Sequence, residues 1–385
     1  MKRILPILAV TFLSPLLPSA NAADATAPSA AQTNVTRAEA RQAIEKGLAW
    51  LKAHQNEDGS WSNSEQPGLT ALPIVAIVRD PVFDAKAPRP EYLQKALAFI
   101  RSKAKPDGSI WEKGLSNYNT SVCLTALVAN GDPKDDLLAT KCREFIIGLQ
   151  AKNMADESFD GGIGYGTTGV SPSHPHPDLD NTLIALEALR TYKDAHPEVE
   201  TSTGKDLNWQ AAIDFVTRCQ NLPEKNPKAS TDPADRGGFI YYPGYSNAAP
   251  TDGSAPLRSY GSMTYAGLLS YIYADLKKDD PRVQAAVDWL KKNYSLDKNP
   301  GMGASGLYYY IHLMTKGLSA AGIQQLETAD GRKVDWAHEV ARKIMEVQTA
   351  DGSWVNTASA RWMEKDPVLV TTYCVMALEL LDSKL

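Results

Sequence analysis

Between residues 176 and 186 the chain reads His-Pro-Asp-Leu-Asp-Asn-Thr-Leu-Ile-Ala-Leu, so Asp178, Asp180 and Asn181 fall within four positions directly ahead of an apolar run. Carboxyls this close can divide acid and base roles, because the charge on one raises the pKa of the other. A general acid at neutral pH must keep its proton. The same oxygens suit a plainer task. Pro177 keeps His176 out of helical geometry, so a helix beginning near Asp180 requires a capping oxygen there. The helix N-terminus favours the charged carboxylate. A cap accounts for one aspartate and leaves the other. In an extended approach to the helix, residues two apart point the same way, which turns Asp178 and Asp180 toward one space. Catalytic and capping roles both remain open on these residues alone.

Aromatic side chains supply the other candidates. Tyr241, Tyr242 and Tyr245 lie in one Gly-rich connection, Tyr260 and Tyr265 at the start of the segment that follows, and Tyr308, Tyr309 and Tyr310 further on. Their faces stabilise cations, stack on sugars or fill a core. Tyr241, Tyr242, Tyr260, Tyr308 and Tyr309 are the ligand-binding candidates. Metal-ligand spacing is confined to His174-x-His176 without a third ligand nearby, so neither a metal nor a cofactor is expected. The run Phe-Asp-Gly-Gly-Ile-Gly-Tyr-Gly at 159–166 lacks the lysine and the following helix of a phosphate loop.

Internal repetition shows what must position these residues. One amphipathic helical pattern recurs six times, anchored at Trp50, Phe99, Phe145, Phe215, Trp289 and Ile344. Each copy is followed by a Gly-rich connection and a second, more apolar helix, as in "DNTLIALEALR" and "TTYCVMALELL". A helix with one charged face lies outside, and one apolar nearly all round lies inside. Six alternations predict an all-α fold, a single (α/α)6 toroid over residues 37–385, with a capping box at Thr36 and Glu39 opening the first outer helix. The inner helices are then all entered from one side, so their N-termini gather at the mouth of a central funnel. Repeats three and four are enlarged in the connections 151–180 and 221–261, and long loops on a rigid frame are where function concentrates.

The N-terminus speaks to compartment. A basic start, an apolar stretch from Ile4 to Pro18 broken by three prolines, and Ala20-Asn21-Ala22 match a signal peptide cleaved after residue 22. An Ala/Ser/Thr-rich leader occupies 23–36. The mature protein is expected to be secreted or periplasmic, with no further transmembrane segment. The net charge of −5 becomes more negative once Lys2 and Arg3 are removed, which argues against nucleic acid as a partner. Cys123, Cys142, Cys219 and Cys374 each lie inside an apolar helical pattern, so buried free thiols are expected.

Two connections carry Gln-x3-Gly-x-Trp, at Gln55–Gly59–Trp61 and Gln348–Gly352–Trp354, and a third ending at Trp111 keeps the Asp-Gly turn. This resembles the QW repeat of squalene-hopene and oxidosqualene cyclases, and the wider pattern is similar to protein prenyltransferase β-subunits. The resemblance implies a terpenoid cyclase/prenyltransferase-like barrel. It also implies chemistry, because squalene-hopene cyclases carry Asp-x-Asp-Asp-Thr at an inner helix, with the middle acid protonating an alkene. Asp178-Leu-Asp180-Asn181-Thr182 matches except for the last acid, which puts Asp180 at the proton-donor position. The chain departs from the two-toroid cyclases in having one ring. It departs from the zinc prenyltransferases in having Arg258 and Tyr260 where their Asp and Cys would stand. The function implied is binding of a hydrophobic, isoprenoid-type ligand in the funnel, with cyclisation or isomerisation begun by protonation. A non-catalytic binding ring, or a carbohydrate-active lyase or hydrolase using Asp178 and Asp180, are the alternatives.

Overall fold

The computed structural model describes residues 34–166, 175–197, 206–248 and 257–385. The signal peptide expected at 1–22, the leader as far as residue 33, and His174 lie outside the described residues.

Among the described residues twelve α-helices alternate between two patterns. The outer set is α1 (Arg37–Ala53), α3 (Glu91–Ser102), α5 (Asp136–Gly148), α7 (Trp209–Arg218), α9 (Pro281–Lys292) and α11 (Trp336–Glu346). The inner set is α2 (Pro67–Arg79), α4 (Ser116–Asn130), α6 (Leu179–Ala195), α8 (Gly261–Tyr273), α10 (Leu307–Ala320) and α12 (Pro367–Leu381). In α1 the capping box forms as expected, with Thr36 Oγ1 accepting from Glu39 N and Glu39 Oε2 accepting from Thr36 N at 2.8 Å. Its apolar stripe buries Ala40, Ala43, Ile44, Gly47, Trp50 and Leu51 and leaves the charged face to solvent. In α12, by contrast, every residue from Val368 to Glu379 is buried.

Each inner helix packs on the next in the order α2, α4, α6, α8, α10, α12, and α12 returns to α2, which closes the ring. The outer seam closes where α1 meets α11 and α12. The fold is therefore the all-α (α/α)6 toroid. Among the described residues the strands are limited to one antiparallel pair, Leu326–Glu327 with Lys333–Val334. All four cysteines are free and buried. No helix among the described residues is long and apolar enough to cross a membrane.

The repeated turns fasten neighbouring repeats. Gln348 Nε2 donates to Gly352 O at 2.9 Å and across the closing seam to Ala43 O at 3.0 Å. Gln55 does the same with Gly59 O and Tyr92 O, at 3.0 and 2.8 Å. Gly352 sits at φ 94°, where a Cβ would stand 2.8 Å from Lys46 O, so both the backbone conformation and the close approach require glycine. Trp61 and Trp354 donate to Leu51 O and Ile344 O within their own repeats, each at 2.7 Å. The Trp354 ring lies against Gly47 of α1 across the closing seam, where a Cβ would stand 2.9 Å from it.

A second device aligns inner helices with the connections. Thr70, Thr120, Thr182, Thr264 and Thr371 each accept, through Oγ1, a backbone N–H of the preceding connection at 2.9 to 3.1 Å. Thr120 and Thr371 lie inside their helices, and Asn119 and Ser262 lie within the first turns of theirs. Asn119 Oδ1 accepts from Gly68 N of the adjacent α2 at 2.8 Å.

Candidate active site

The short approach to α6 separates the two aspartates. Asp178 is the N-cap, extended at φ −140°, and its Oδ1 accepts from Asn181 N at 2.8 Å. Its Oδ2 accepts from Asn181 Nδ2, also at 2.8 Å, and the residue is 1 % exposed. The helix starts at Leu179, so Asp180 lies in the first turn, about 200° around the axis from Asp178 at about 100° per residue. The two side chains therefore point apart rather than together. The capping oxygen that the sequence assigned to the neighbourhood of Asp180 belongs to Asp178, and Asp180 is free to face the ring axis.

It faces a cavity of about 310 Å³ at the N-terminal ends of the inner helices. The third residue of every inner helix lines this chamber: Leu69, Tyr118, Asn181, Met263, Tyr309 and Leu369. The connections add Tyr165, Tyr241 and Tyr260, and Trp362 and Met363 stand at the entrance, 43 % and 45 % exposed. Both entrance residues hold positive φ, 54° and 64°, a conformation unfavourable for large side chains. Arg361 lies over the Trp362 ring at 4.4 Å and donates to Asn247 Oδ1 at 3.0 Å. Asn247 in turn donates to Tyr260 Oη at 3.2 Å, so the entrance is tied to the chamber wall.

Tyr309 is the partner of Asp180. Its hydroxyl donates to Asp180 Oδ1 at 2.5 Å. The start of α10 is fixed by a side chain from elsewhere in the chain: Gly306 at φ 65° offers no capping oxygen, and Glu364 Oε1 accepts from Tyr309 N at 2.8 Å instead. Glu364 is 1 % exposed and its Oε2 accepts from Asn356 Nδ2 at 2.6 Å.

Burial raises the pKa of Asp180, opposed by the Tyr309 hydrogen bond. Burial also raises Asp178, opposed by the Asn181 N–H, while the Asp180 charge pushes it further up. The two carboxyls titrate as a pair. Both oxygens of Asp178 accept from N–H groups and its pKa is pushed up to about 8, whereas Asp180 is raised by burial against the bond that the Tyr309 phenol donates to it. Tyr241, bonded through Oη to Tyr165 Oη at 2.8 Å, also approaches Asp178 and lowers its pKa.

The arrangement presents one carboxyl to an aromatic-walled chamber. Among the described lining residues there is no second carboxylate, no lysine, no arginine and no histidine. Among the described residues no three His, Cys, Asp or Glu side chains converge as a metal site.

Of the residues singled out in the sequence, Asp180, Asn181, Tyr241, Tyr260 and Tyr309 line the chamber. Asp178 stands behind them as the cap. Tyr242 is not part of the wall: it packs with His176 and Tyr245, at centroid distances of 4.3 and 4.8 Å. Tyr308 is also outside the wall, because its neighbour Tyr309 takes the axial position on α10. Tyr118, Tyr165, Tyr373, Trp362 and Met363 were not foreseen. The inner-helix register would have found Tyr118, since it holds the same third position as Tyr309.

The axis is also divided. Tyr118, Ile184, Tyr309 and Tyr373 line both this chamber and a second cavity of about 670 Å³ lying toward the C-terminal ends of the inner helices. The single funnel expected from the sequence is thus two chambers with an aromatic septum.

No protein-family model and no curated protein matches the sequence. Solved structures do match the fold. The type II terpene cyclase MstE from Scytonema, in complex with geranylgeranyl dihydroxybenzoate, aligns with a TM-score of 0.53 at 14 % identity, over 91 % of this chain and 99 % of its own. A possible GH105 family member from Salmonella enterica aligns with a TM-score of 0.53 at 13 % identity, over 92 % and 96 %. The α-1,6-mannanase GH76A of Salegentibacter, in complex with α-1,6-mannotriose, aligns with a TM-score of 0.52 at 12 % identity, over 89 % and 99 %. The chain thus shares the toroid fold of the terpenoid cyclase-like proteins, a fold also found in glycoside hydrolases.

Proposed function

We propose that this is an exported protein whose upper chamber binds a hydrophobic, isoprenoid-type molecule and transfers a proton to it from Asp180. The carboxyl proton goes to one carbon of an alkene, the π pair forms the new C–H bond, and the adjacent carbon becomes a cation. An internal alkene can attack that cation, which closes a ring and moves the positive charge to a further carbon, and in either case loss of a neighbouring proton to water or back to the Asp180 carboxylate ends the sequence with a new double bond. Either route is redox-neutral and needs no diphosphate. Aromatic faces of Tyr118, Tyr241, Tyr260 and Tyr373 stabilise the cation, and Tyr309 stabilises the carboxylate left behind.

The observation that carries this is the position of Asp180: a half-buried carboxyl raised toward its protonated form, on an aromatic wall, with one phenol as its hydrogen-bond partner. Glycoside hydrolysis by two acids requires a second carboxyl about 5–9.5 Å away across the substrate. Among the described lining residues none is present, and Asp178 is committed to the helix cap. The test is incubation of the purified mature protein with linear polyenes, read by mass spectrometry and chromatography. An isomeric product of unchanged mass from wild type and none from Asp180→Asn supports protonation. Binding without any product, in both, leaves a binding ring.

A further inference from the structure

The lower chamber carries polar groups that no fold requirement explains. His312 and Glu379 line it, 6 % and 8 % exposed. His312 Nδ1, both carboxyl oxygens of Glu379 and the hydroxyl of Ser319 are buried without a hydrogen-bond partner. Unsatisfied buried polar atoms are a standing cost to the folded state. Four of them, on three side chains around one cavity and on the two neighbouring helices α10 and α12, point to a ligand that supplies the missing bonds.

The charges around the chamber narrow the ligand class. Lys316 is paired with Glu187. Arg190 is paired with Asp194 at 2.8 Å and with Asp275 at 2.6 Å. Arg41, beside Glu379, is paired through two bonds with Asp80. Arg79 lies exposed at the rim. An anionic headgroup inside the chamber would have to break these pairs. Burial, helped by the charges of Lys316 and Arg79, keeps His312 neutral, and burial raises Glu379 so that it retains its proton. The vacant hydrogen-bonding groups are thus neutral donors and acceptors, which match a hydroxyl.

Geometry links this chamber to the upper one. His312 stacks on the septum residue Tyr373 at 5.3 Å, and Tyr309 packs against Tyr373 at 5.6 Å. Along α6, Glu187 follows Asp180 by seven residues, about 10 Å at 1.5 Å per residue. Both volumes lie in the range of small-molecule sites. Resting on the protonation reading above, we infer that the lower chamber holds the uncharged hydroxyl headgroup of the same elongated molecule, bonded by Ser319 and Glu379, the thirteenth residues of α10 and α12, with His312 about 10 Å nearer the septum beside the same molecule. The substrate class is then a polyene alcohol, threaded past the tyrosine septum with its alkene end at Asp180.

Three probes of equal chain length test this by calorimetry on the mature protein: farnesol, farnesyl diphosphate and farnesene. Farnesol should bind at least ~10-fold tighter than either of the others, the scale of one well-made hydrogen bond in a buried site. Glu379→Met should weaken farnesol by ~10-fold or more, His312→Phe should weaken it less, and both should leave farnesene unchanged. Both should melt no lower than wild type, because each removes an unsatisfied buried group. A purely structural role would not combine intact stability with selective loss of the alcohol. Equal binding of alcohol and hydrocarbon, tightest binding of the diphosphate, or unchanged farnesol affinity in both variants would overturn the inference. Asp180→Asn separates the two proposals: farnesol bound as expected but never converted sinks the acid and keeps the headgroup site, while conversion without alcohol preference does the reverse.

Discussion

Tyr309 and Asp180, 129 positions apart in the chain, meet across the ring through a hydrogen bond of 2.5 Å from the phenol to the carboxyl. α6 and α10 both start at the same mouth and are separated in the inner ring by α8 alone, and their first turns both line the chamber. Removing the donor has a signed consequence. In Tyr309→Phe the pKa of Asp180 rises, because the bond that favours its charged form is lost. The falling limb of any pH–rate profile should move to higher pH, with the maximal rate reduced ~10-fold or more as the departing carboxylate loses its stabiliser. An unmoved limb would remove Tyr309 from the account.

The two aspartates should separate in stability measurements. Asp178→Ala deletes the cap and strands the Asn181 N–H, for a loss of about 1–3 kcal/mol in urea unfolding. Asp180→Ala deletes a half-buried carboxyl that caps nothing and should be within about 1 kcal/mol of wild type, or more stable. A larger loss at Asp180 than at Asp178 would mean the cap is wrongly assigned.

Stability should also depend on pH through this pair. Both carboxyls are raised in the folded state above the ordinary value near 4, so the folded protein binds protons more tightly than the unfolded chain. Their contribution is present in full below about pH 4 and is lost as pH rises through the folded values. Asp180→Asn should flatten this part of the profile relative to wild type, by about 1.4 kcal/mol for each pKa unit removed. Parallel profiles from urea midpoints would contradict it.

Gly352→Ala probes the closure of the ring. A Cβ at φ 94° and 2.8 Å from Lys46 O forces α1 away from the last turn, at an expected cost of at least about 1–3 kcal/mol in thermal or urea unfolding. Gly131, also left-handed at φ 65°, has no atom within 4 Å of its Cβ position, so Gly131→Ala should cost about 1–2 kcal/mol, the backbone penalty alone.

The ring was legible because helix amphipathicity repeats with the chain, and the alternation of charged-faced and all-apolar helices has one closed solution. The turns were legible only where spacing was kept. Gln150 and Gln220 make the same double bonds as Gln55 and Gln348, to Gly161 and Asn208 and to Gly237 and Arg282, all at 2.9 to 3.0 Å. Their glycines lie 11 and 17 residues on rather than four, so a spacing pattern passes over them. Asp180 could be singled out but its role beside Asp178 could not, since a two-residue choice of helix start decides which carboxyl caps and which faces the axis. Tyr373 and the entrance residues Trp362 and Met363 were hidden for another reason: the apolar α12 reads as core along its whole length, and positive φ at tryptophan and methionine has no signature in composition.

The most direct measurement of the central claim is deuterium transfer. Wild type and Asp180→Asn are incubated with farnesol in D2O, and the recovered hydrocarbon skeleton is examined by NMR and mass spectrometry. The account predicts one deuterium at the protonated alkene carbon of the wild-type product, and at least ~10²-fold slower incorporation by a folded Asp180→Asn. No incorporation by wild type, or incorporation by Asp180→Asn at the wild-type rate, would contradict it.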